Sequence, residues 1–317
     1  MRVLFIIDPI ASLKAYKDSS VAMMYAFHAK GHELFITEQQ DLFIQGQVFA
    51  KTQAINLIEG ADLKAHDWWQ YKGEPVDTNL VEFDAVIMRK DPPFDMEYAY
   101  SCHLLAYAEK FGAKVFNSGM AMVTHPEKLA ITEFSQFTAP TLVSRDMTRL
   151  KAFHQQHGEV VVKPLDGMGG MGIFRLQPKE PNLGSILELL TRNGQETIMA
   201  QRYIPDIVKG DKRILIINGE AVPYCLARIP LAGETRGNLA AGGRGVAQPL
   251  TARDREIAST LAPILKARGL FLVGLDVIGD YLTEINVTSP TCFVEITQQT
   301  EFNVAQFFVE QVEKAVA

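Results

Sequence analysis

The chain has 317 residues, of which 47 % are hydrophobic and 21 % charged, and its formal net charge is −6. This length favours two or three packed lobes over one small core, and the negative balance argues against nucleic acid as the main partner, because a phosphate backbone needs a basic surface. Three widely spaced cysteines, the lack of an apolar run of roughly 18 residues and the lack of a signal-peptide pattern lead us to expect a cytoplasmic protein that does not enter a membrane.

The first third alternates between strand and helix patterns. Strands are predicted at 3–7, 33–36, 85–88 and 115–116, and helices at 20–30 and 96–111. This βαβ order predicts a parallel sheet of the α/β class, with ligands at the carboxyl ends of the strands. The stretch 39–80 is interpreted as mixed loops and weak strands.

A second part opens at Thr124-His-Pro-Glu127, which has the pattern of a capping box with proline in the first turn. The pattern predicts a helix from there to about 137. Further strands are expected at 141–143, 159–163, 173–176 and 197–202, and helices at 148–156 and 183–192.

The third part begins near Tyr203. Strands at 213–217 and 221–227 flank Asn218-Gly219, a strong hairpin signal. Residues 229–246 are rich in glycine and lack periodicity, which is typical of a functional lid or a disordered loop. A helix at 252–268, an acidic hairpin and a final helix at 303–316 complete the prediction.

The glycine-rich segment 163–172 carries the first candidate site. Lys163 precedes the glycines, whereas a Walker loop has its lysine after them, and a strand rather than a Rossmann helix follows. A strand, a glycine loop and a strand remain, which we interpret as a flap whose backbone N–H groups close over phosphates. The alternative is an ordinary hairpin turn.

The acidic hairpin carries the second candidate site. Glu284 and Asn286 are two residues apart on one strand and therefore share a face. Asp276 joins them only if it pairs with Glu284, for which we expect a three-residue turn over 279–281; a two-residue turn would send Glu284 to the other side. Carboxylate and amide oxygens on one face suit a divalent cation, and the alternative is a solvated acidic surface.

Arginines form the third candidate group. Arg89 follows a buried strand, and Arg213, Arg228, Arg236 and Arg244 surround or occupy the glycine loop. Guanidinium groups bind carboxylates and phosphates in a bidentate manner, although each arginine alone could be a surface ion pair. Lys17, at a helix start, could bind an anion or belong to a cap. The sequence offers no side-chain nucleophile, so the chemistry is expected to come from a nucleotide and a metal.

Five segments, 88–94, 163–170, 227–230, 233–245 and 283–291, resemble bacterial glutathione synthetases, a family of ATP-grasp ligases. The resemblance covers nearly the whole chain. It implies a Rossmann-like pre-ATP-grasp domain (1–123), an ATP-grasp lid subdomain with the flap (124–202) and a C-terminal ATP-grasp subdomain with a metal site and a substrate lid at 230–245 (203–317). It also implies ATP-dependent joining of γ-glutamylcysteine to glycine through an acyl phosphate.

The resemblance further implies a role for particular residues. ATP would be bound by Lys128, Lys163, Gly167, Met168, Gly169, Gly170, Gln201, Tyr203, Ile204 and Asp211. Two Mg²⁺ ions, with Mn²⁺ possible in their place, would be held by Asp276, Glu284 and Asn286. The dipeptide carboxylates and the transferred phosphate would be received by Lys17, Arg89, Arg213, Arg228 and Arg236, of which the last three would be catalytic. Family members form homotetramers and act on small molecules, with no nucleic acid or membrane partner.

Two other functions stay open at this point. Another ATP-grasp carboxylate–amine ligase would share the phosphate and metal residues, but segments 88–94 and 233–245 favour glutathione synthesis. A non-catalytic ATP-binding module is disfavoured by the intact Lys163, Asp276, Glu284 and Asn286. Arg202 stands at a hinge where related enzymes often have an acidic residue.

Overall fold

A computed structural model describes residues 1–65, 67–231, 233–234, 237, 239 and 242–317. It contains a sheet from each third of the chain. The first comprises β1 (Arg2–Ile6), β2 (Glu33–Thr37), β3 (Leu42–Gln45), β4 (Gln47–Leu57), β5 (Trp69–Asn79), β6 (Ala85–Met88) and β7 (Val115–Phe116). Its order is β3-β4-β2-β1-β6-β7, with β5 on the free side of β4.

The centre of the first sheet is parallel, as predicted, because β1 pairs in parallel with β2 and β6, and β6 with β7. The interpretation of 39–80 was wrong: β4 and β5 are strands of 11 residues each that extend the sheet in an antiparallel sense. Most of β5 is exposed on both faces, so it lacks the alternation of apolar and polar residues that reveals a strand in sequence.

The first helices are α1 (Ser19–Ala29), α2 (Met96–Lys110) and α3 (Gly119–Thr124). The predicted capping box was also wrong. Thr124 is the last residue of α3, and its hydroxyl donates to the carbonyl oxygens of Met120 and Ala121. The next helical segment, 129–137, is a 3-10 helix. The Glu127 carboxylate instead accepts hydrogen bonds from the backbone N–H groups of Val287 and Thr288, far along the chain.

The second sheet is antiparallel and has the order β10-β9-β11-β8. Its strands are β8 (Thr141–Ser144), β9 (Val160–Pro164), β10 (Phe174–Leu176) and β11 (Ile198–Arg202). The accompanying helices are α4 (Met147–His157) and α5 (Leu183–Thr191). The segment between β9 and β10 is the predicted flap.

The third sheet is antiparallel, in the order β14-β13-β12-β15-β16. Its strands are β12 (Asp211–Ile217), β13 (Glu220–Ile229), β14 (Arg244–Pro249), β15 (Leu272–Ile278) and β16 (Tyr281–Asn286). The last helices are α6 (Ala252–Ala267), α7 (Phe293–Gln299) and α8 (Val304–Val316). Helix α7 was not predicted, and β14 takes up the end of the predicted lid.

A buried asparagine joins the first sheet to the third. The Asn117 side-chain oxygen accepts from the N–H groups of Phe271 and Leu272 at 2.6 and 2.7 Å, and its Nδ2 donates to the carbonyl oxygens of Leu272 and Val287 at 2.8 and 2.7 Å. These bonds satisfy backbone groups that would be costly to bury unpaired. They fix the start of β15 and the end of β16 against the first sheet.

Each sheet lies within one of the three predicted parts of the chain, whose boundaries remain predictions. Where the chain is described, none of its helices combines the length and the hydrophobicity needed to span a membrane.

Candidate active site

A cavity of about 340 Å³ lies between the second and third sheets. The predicted residues that line it are Lys128, Lys163, Gly167, Met168, Gly169, Gly170, Gln201, Tyr203, Ile204, Asp211, Arg213, Arg228, Asp276, Glu284 and Asn286. The first sheet contributes Asp91 and Pro92, which follow β6 at its carboxyl end. Residues that are far apart in sequence therefore meet around one space.

The acidic hairpin has the predicted pairing, but a different turn produces it. Asp276 pairs with Glu284, and Gly274 with Asn286, so the three oxygen-bearing side chains share one face. The turn is two residues long, since Ile278 pairs with Tyr281, and a bulge at Thr283 then shifts the register by one residue. The prediction of a three-residue turn was wrong, and the bulge supplies the odd residue instead.

Two arginines hold Asp276, Arg213 from the adjacent strand β12 and Arg228 from β13 beyond it. Arg213 Nε and Nη2 donate to the two carboxylate oxygens at 2.6 and 3.1 Å, and Arg228 Nη2 contacts Asp276 Oδ2 at 2.9 Å. The same Arg228 nitrogen also binds Asp211 Oδ2. The side chains of Arg213, Arg228 and Asp276 are at most 7 % exposed, so this network of ion pairs is buried.

Gly274 makes room for this network. A Cβ atom at that position would lie 2.8 Å from Arg213 Cδ and 3.1 Å from its Nε. The arginine therefore lies flat across the strand only because residue 274 has no side chain.

Burial and charge act in opposite directions on these groups. Burial alone would raise the pKa of Asp276, but Arg213 and Arg228 hold it well below its ordinary value. Burial raises the pKa of Asp211 to about 6 despite the opposing effect of Arg228, and its Oδ1 atom is buried without a hydrogen-bond partner in the described chain. Among the described residues, Asp211 thus keeps one acceptor atom without a partner at the cavity.

Two lysines from the second part of the chain (124–202) reach the face that carries Asp276, Glu284 and Asn286. Lys128 Nζ lies 2.9 Å from Glu284 Oε1 and also donates to the carbonyl oxygen of Gly167 in the flap. Lys163 Nζ donates to the Thr283 carbonyl oxygen at 3.2 Å. Burial lowers the pKa of Lys163 to about 8, with Lys128 acting in the same direction and Glu284 against it.

The donor set fits a hard divalent cation. Asn286 Nδ2 donates to the Gly274 carbonyl oxygen at 3.1 Å, so the amide is held through its nitrogen and its oxygen remains as a ligand. Together with the carboxylates of Glu284 and Asp276 this makes an all-oxygen face, as magnesium prefers. Within the described ranges no group of three or more His, Cys, Asp and Glu side chains forms a metal cluster, which is consistent with a set that combines two carboxylates with an amide.

Residues 201–204, where β11 ends and the chain passes from the second sheet towards the third, form the hinge and the other end of the cavity. Gln201 Nε2 donates to Thr141 Oγ1 at 3.0 Å, which fixes its amide. The Arg175 guanidinium lies 3.8 Å from the centre of the Tyr203 ring and pairs with Glu159 at 2.6 Å. Arg202 also lines the cavity, and its Nη2 donates to the Tyr281 hydroxyl at 3.2 Å.

Of the predicted substrate-binding residues, Arg213 and Arg228 line the cavity, but others do not. Arg89 is 4 % exposed and its Nε donates to Ser20 Oγ at 3.0 Å, but it is not among the residues that line the cavity, and neither is Lys17. Arg236 lies outside the described residues, so its role stays a prediction. Arg244 belongs to β14 and is exposed.

Sequence reasoning missed several residues of the site. Glu127 lines the cavity, and burial, with Glu284 adding to it, raises its pKa. Arg175 and Cys292 also line it. Glu295, which does not line the cavity, was missed as well: its Oε2 is buried without a hydrogen-bond partner among the described residues, as is Nη1 of the predicted Arg89. Of these residues, only Arg175 could have been found from the sequence, because it lies in the strand that directly follows the predicted flap.

Comparisons with known proteins decide the family. Residues 1–122 match the model described as "Prokaryotic glutathione synthetase, N-terminal domain", and residues 127–301 match its "ATP-grasp domain". The chain belongs to the prokaryotic glutathione synthetase family. It is 67 % identical over 316 residues to the glutathione synthetase of Bordetella parapertussis, with 99 % of both chains covered. It is 50 % identical over 318 residues to that of Pseudomonas aeruginosa, covering 100 % of this chain and 99 % of the relative.

Solved structures support the fold. D-cycloserine synthetase DcsG has a TM-score of 0.69 at 15 % identity with 100 % of both chains covered, and the ATP-grasp ligase PsnB has 0.64 at 15 % identity with 99 % of this chain and 97 % of that one covered. At these identities the likeness concerns the fold alone. The predicted resemblance, the α/β ATP-grasp fold and the assignment as an ATP-dependent ligase are confirmed, and the family uses ATP with a divalent metal.

Proposed function

We propose that this chain joins γ-glutamylcysteine to glycine at the cavity between its second and third sheets, with ATP converted to ADP and phosphate. The observation that carries the proposal is the meeting of Lys128, Lys163, the flap and the Asp276–Glu284–Asn286 face around one space, in a chain of this family. No side-chain nucleophile is required.

The chemistry follows two displacements. The cysteinyl carboxylate oxygen attacks the γ-phosphorus, the bond to the bridging oxygen breaks, and ADP leaves. The glycine amine then attacks the acyl carbon, phosphate leaves with the carbon–oxygen bond pair, and the amine loses a proton. Both steps need positioning and charge neutralisation from the protein rather than a covalent enzyme intermediate.

On the nucleotide side, Lys128 and Lys163 would contact the phosphates, and the flap residues Gly167, Met168, Gly169 and Gly170 would fold over them. Lys128 already bridges Glu284 and the flap carbonyl of Gly167, which supports this role. Gln201, Tyr203 and Ile204 would bind the adenine at the hinge. Asp211 Oδ1, which has no partner in the described part of the chain, would accept a hydrogen bond from the ribose.

Asp276, Glu284 and Asn286 would hold two Mg²⁺ ions, with Mn²⁺ as a possible substitute. The ions would supply neutralisation of phosphate charge. Lys128 pairs with Glu284, and Arg213 and Arg228 pair with Asp276. We therefore infer that Lys128 exchanges Glu284 for phosphate when metal and nucleotide bind together.

On the acceptor side, Arg213, Arg228 and Arg236 would receive the reacting carboxylate and the transferred phosphate, and the lid 230–245 would exclude water from the acyl phosphate. Lys17 and Arg89 would bind the remote carboxylate of the dipeptide. Arg89 Nη1 and Glu295 Oε2 are buried and have no hydrogen-bond partner among the described residues, and they carry opposite charge, which suits the carboxylate and ammonium of an α-amino acid group. We expect the enzyme to act in the cytoplasm as a homotetramer.

Phosphate release tests the proposal. We expect release from ATP to depend on both γ-glutamylcysteine and glycine, and to fall when glycine is replaced by bulkier amines. Turnover with a different carboxylate–amine pair but none with this one would assign the cavity to another ligation. ATP binding without stimulation by any pair would indicate a binding module.

A further inference from the structure

Helix α2 carries a line of large apolar side chains on its outer face. Met96 is 62 % exposed, Tyr100 54 %, Tyr107 48 % and Phe111, at the end of the helix, 48 %. At 3.6 residues per turn these positions fall within one narrow stripe. The opposite face packs Tyr98, Cys102 and Leu105 into the core of the first lobe, so α2 is apolar on both sides.

Single exposed apolar residues are ordinary, but four of them along one helix face, with His103 between the two pairs, mark an interaction surface. A membrane surface is a poor match, because such helices place several lysines or arginines beside the apolar stripe. Here the stripe has Glu97 on one flank and Lys110 on the other. The Lys110 ammonium lies 4.9 Å from the centre of the Tyr107 ring and leaves the rest of the stripe uncovered. A protein partner fits better.

The stripe is symmetric about its own centre. Met96 and Phe111 are equally far from the midpoint between His103 and Leu104, and so are Tyr100 and Tyr107. When two identical helices pack antiparallel across a two-fold axis at that midpoint, Met96 meets Phe111 of the second copy, and Tyr100 meets its Tyr107. An interface of this kind needs a surface complementary to itself, and a stripe with this symmetry provides one.

We propose that the outer face of α2 is a two-fold contact with a second copy of this chain, centred between His103 and Leu104. The inference rests on the self-association expected in the proposed function and adds the surface and its register. Nothing in the cavity chemistry is needed for it.

The size of the stripe sets the expected strength. A large side chain buries roughly 150–250 Å² when fully covered, so the half-exposed stripe offers about 400 Å² per copy. Stable interfaces bury about 800 Å² per partner. The stripe therefore supplies the apolar centre of the contact, and the neighbouring β3, which packs against α2 and has Ile44 50 % exposed, lies where a rim is required.

The contact would also brace one wall of the cavity. Helix α2 starts directly after the segment that contains Asp91 and Pro92, both of which line the cavity. The Tyr98 hydroxyl donates to the Lys90 carbonyl oxygen at 3.2 Å and ties that segment to the helix.

The first test is the mass in solution by analytical ultracentrifugation. We expect the double variant Tyr100→Glu/Tyr107→Glu to halve the mass of the wild-type assembly, because two charges per copy would face each other across the axis. The matched control is Leu189→Glu/Val208→Glu, which changes two side chains that are 68 % and 69 % exposed elsewhere. It should keep the wild-type mass. Circular dichroism verifies the fold of both variants.

The second test fixes the register by cross-linking with a short bismaleimide. The native cysteines, Cys102, Cys225 and Cys292, are buried and give little background. His103→Cys should link two copies, since it lies next to the axis. Met96→Cys alone should not, because its twin lies about 22 Å away along the helix. Met96→Cys/Phe111→Cys should link again.

The outcomes separate this inference from the one on which it rests. A monomeric wild-type protein would overturn both. An oligomer that keeps its mass in the Tyr100→Glu/Tyr107→Glu variant would overturn the α2 surface and leave self-association standing. Linking by Met96→Cys alone, without linking by His103→Cys, would overturn the antiparallel register.

Discussion

The two walls of the cavity are built in opposite ways. On the third sheet, Arg213, Arg228 and Asp276 are fixed by buried ion pairs between side chains on three consecutive strands. Facing them, the flap offers mainly backbone groups, and Met171 at its tip is 64 % exposed. The third-sheet wall is held by contacts within the protein, whereas we expect the flap to gain most of its contacts from a bound nucleotide. Substitutions on the two walls should therefore differ in kind: one affects folding and turnover, the other affects nucleotide binding.

The largest effect is expected for Asp276→Asn. The change leaves two buried guanidinium groups without their shared carboxylate, and breaking a buried pair in this way typically costs about 3–5 kcal/mol. Denaturant unfolding should show a loss of this size together with a loss of turnover. The control is Glu133→Gln, which breaks an exposed pair with Arg268 and should cost about 1 kcal/mol or less. Equal losses in the two variants would contradict the structural role of the network.

Glu284→Gln should separate chemistry from folding. Within the described ranges Glu284 pairs with Lys128 alone, and 21 % of its side chain is accessible, so the fold should tolerate the amide. Loss of a metal ligand should remove several kcal/mol of transition-state stabilisation, or at least about 100-fold in turnover. Turnover is measured by phosphate release with both substrates, and unfolding by denaturant. Normal turnover would remove Glu284 from the metal site.

The contrast between the walls also separates what the sequence predicts from what it does not. The shared face of Asp276 and Glu284 followed from strand periodicity and the chemistry of the donors, and it is confirmed. The bulge at Thr283 was missed because register irregularities have no reliable local sequence pattern. The right pairing was reached through the wrong turn.

Long-range contacts account for most of the other omissions. Thr124 and Glu127 have the spacing of a capping box, but Glu127 bonds to residues 287 and 288, which no local pattern reveals. Asn117 joins two sheets through backbone groups that lie more than 150 positions away. The exposed strand β5 lacked alternation altogether. Local signals therefore located the elements and the donors, while tertiary contacts set their ends and partners.

The protonation of Lys163 should make kcat/KM for ATP depend on pH. Asp276, whose pKa is held well below its ordinary value, should not. Burial lowers the pKa of Lys163 to about 8 from 10.5. Phosphates need its ammonium form, so kcat/KM for ATP, which reports the free enzyme, should fall as the pH rises above about 8. The contribution of Lys163 to the free energy of unfolding has the opposite slope: it is unfavourable below about 8 and improves as the pH rises towards 10.5.

Lys163→Arg provides the control for this pH dependence, since a guanidinium stays charged throughout the range. Its kcat/KM for ATP should be lower at pH 7, because the group is bulkier, but the fall above pH 8 should disappear. Identical profiles for the two proteins would assign the pH dependence to another group, such as the amine substrate.

On the flap, Gly169→Ala should weaken nucleotide binding more than it weakens the fold. Gly169 has φ +61°, where an alanine is strained by about 1–2 kcal/mol even though no atom lies within 4 Å of its Cβ position. Gly46, in the turn between β3 and β4, has φ +75° and equally open surroundings, so Gly46→Ala matches the strain far from the cavity. We expect KM for ATP to rise several-fold in the first variant only. A similar rise in both would mean that the effect comes from stability.

The smallest effect is expected at the hinge end of the flap, for Arg175→Met. The guanidinium stacks on Tyr203 and pairs with Glu159, and both partners of the ion pair are about one-third exposed. A partly exposed stack of this kind contributes about 0.5–1 kcal/mol, which corresponds to a rise of roughly two- to fivefold in KM for ATP with little change in turnover. Glu159→Gln keeps the stack and removes only the charge of the pair, so it should stay close to wild type. If Glu159→Gln raised KM as much as Arg175→Met, the ion pair rather than the stack would position this side of the nucleotide pocket, and the flap wall would be anchored by charge in the same manner as the third-sheet wall.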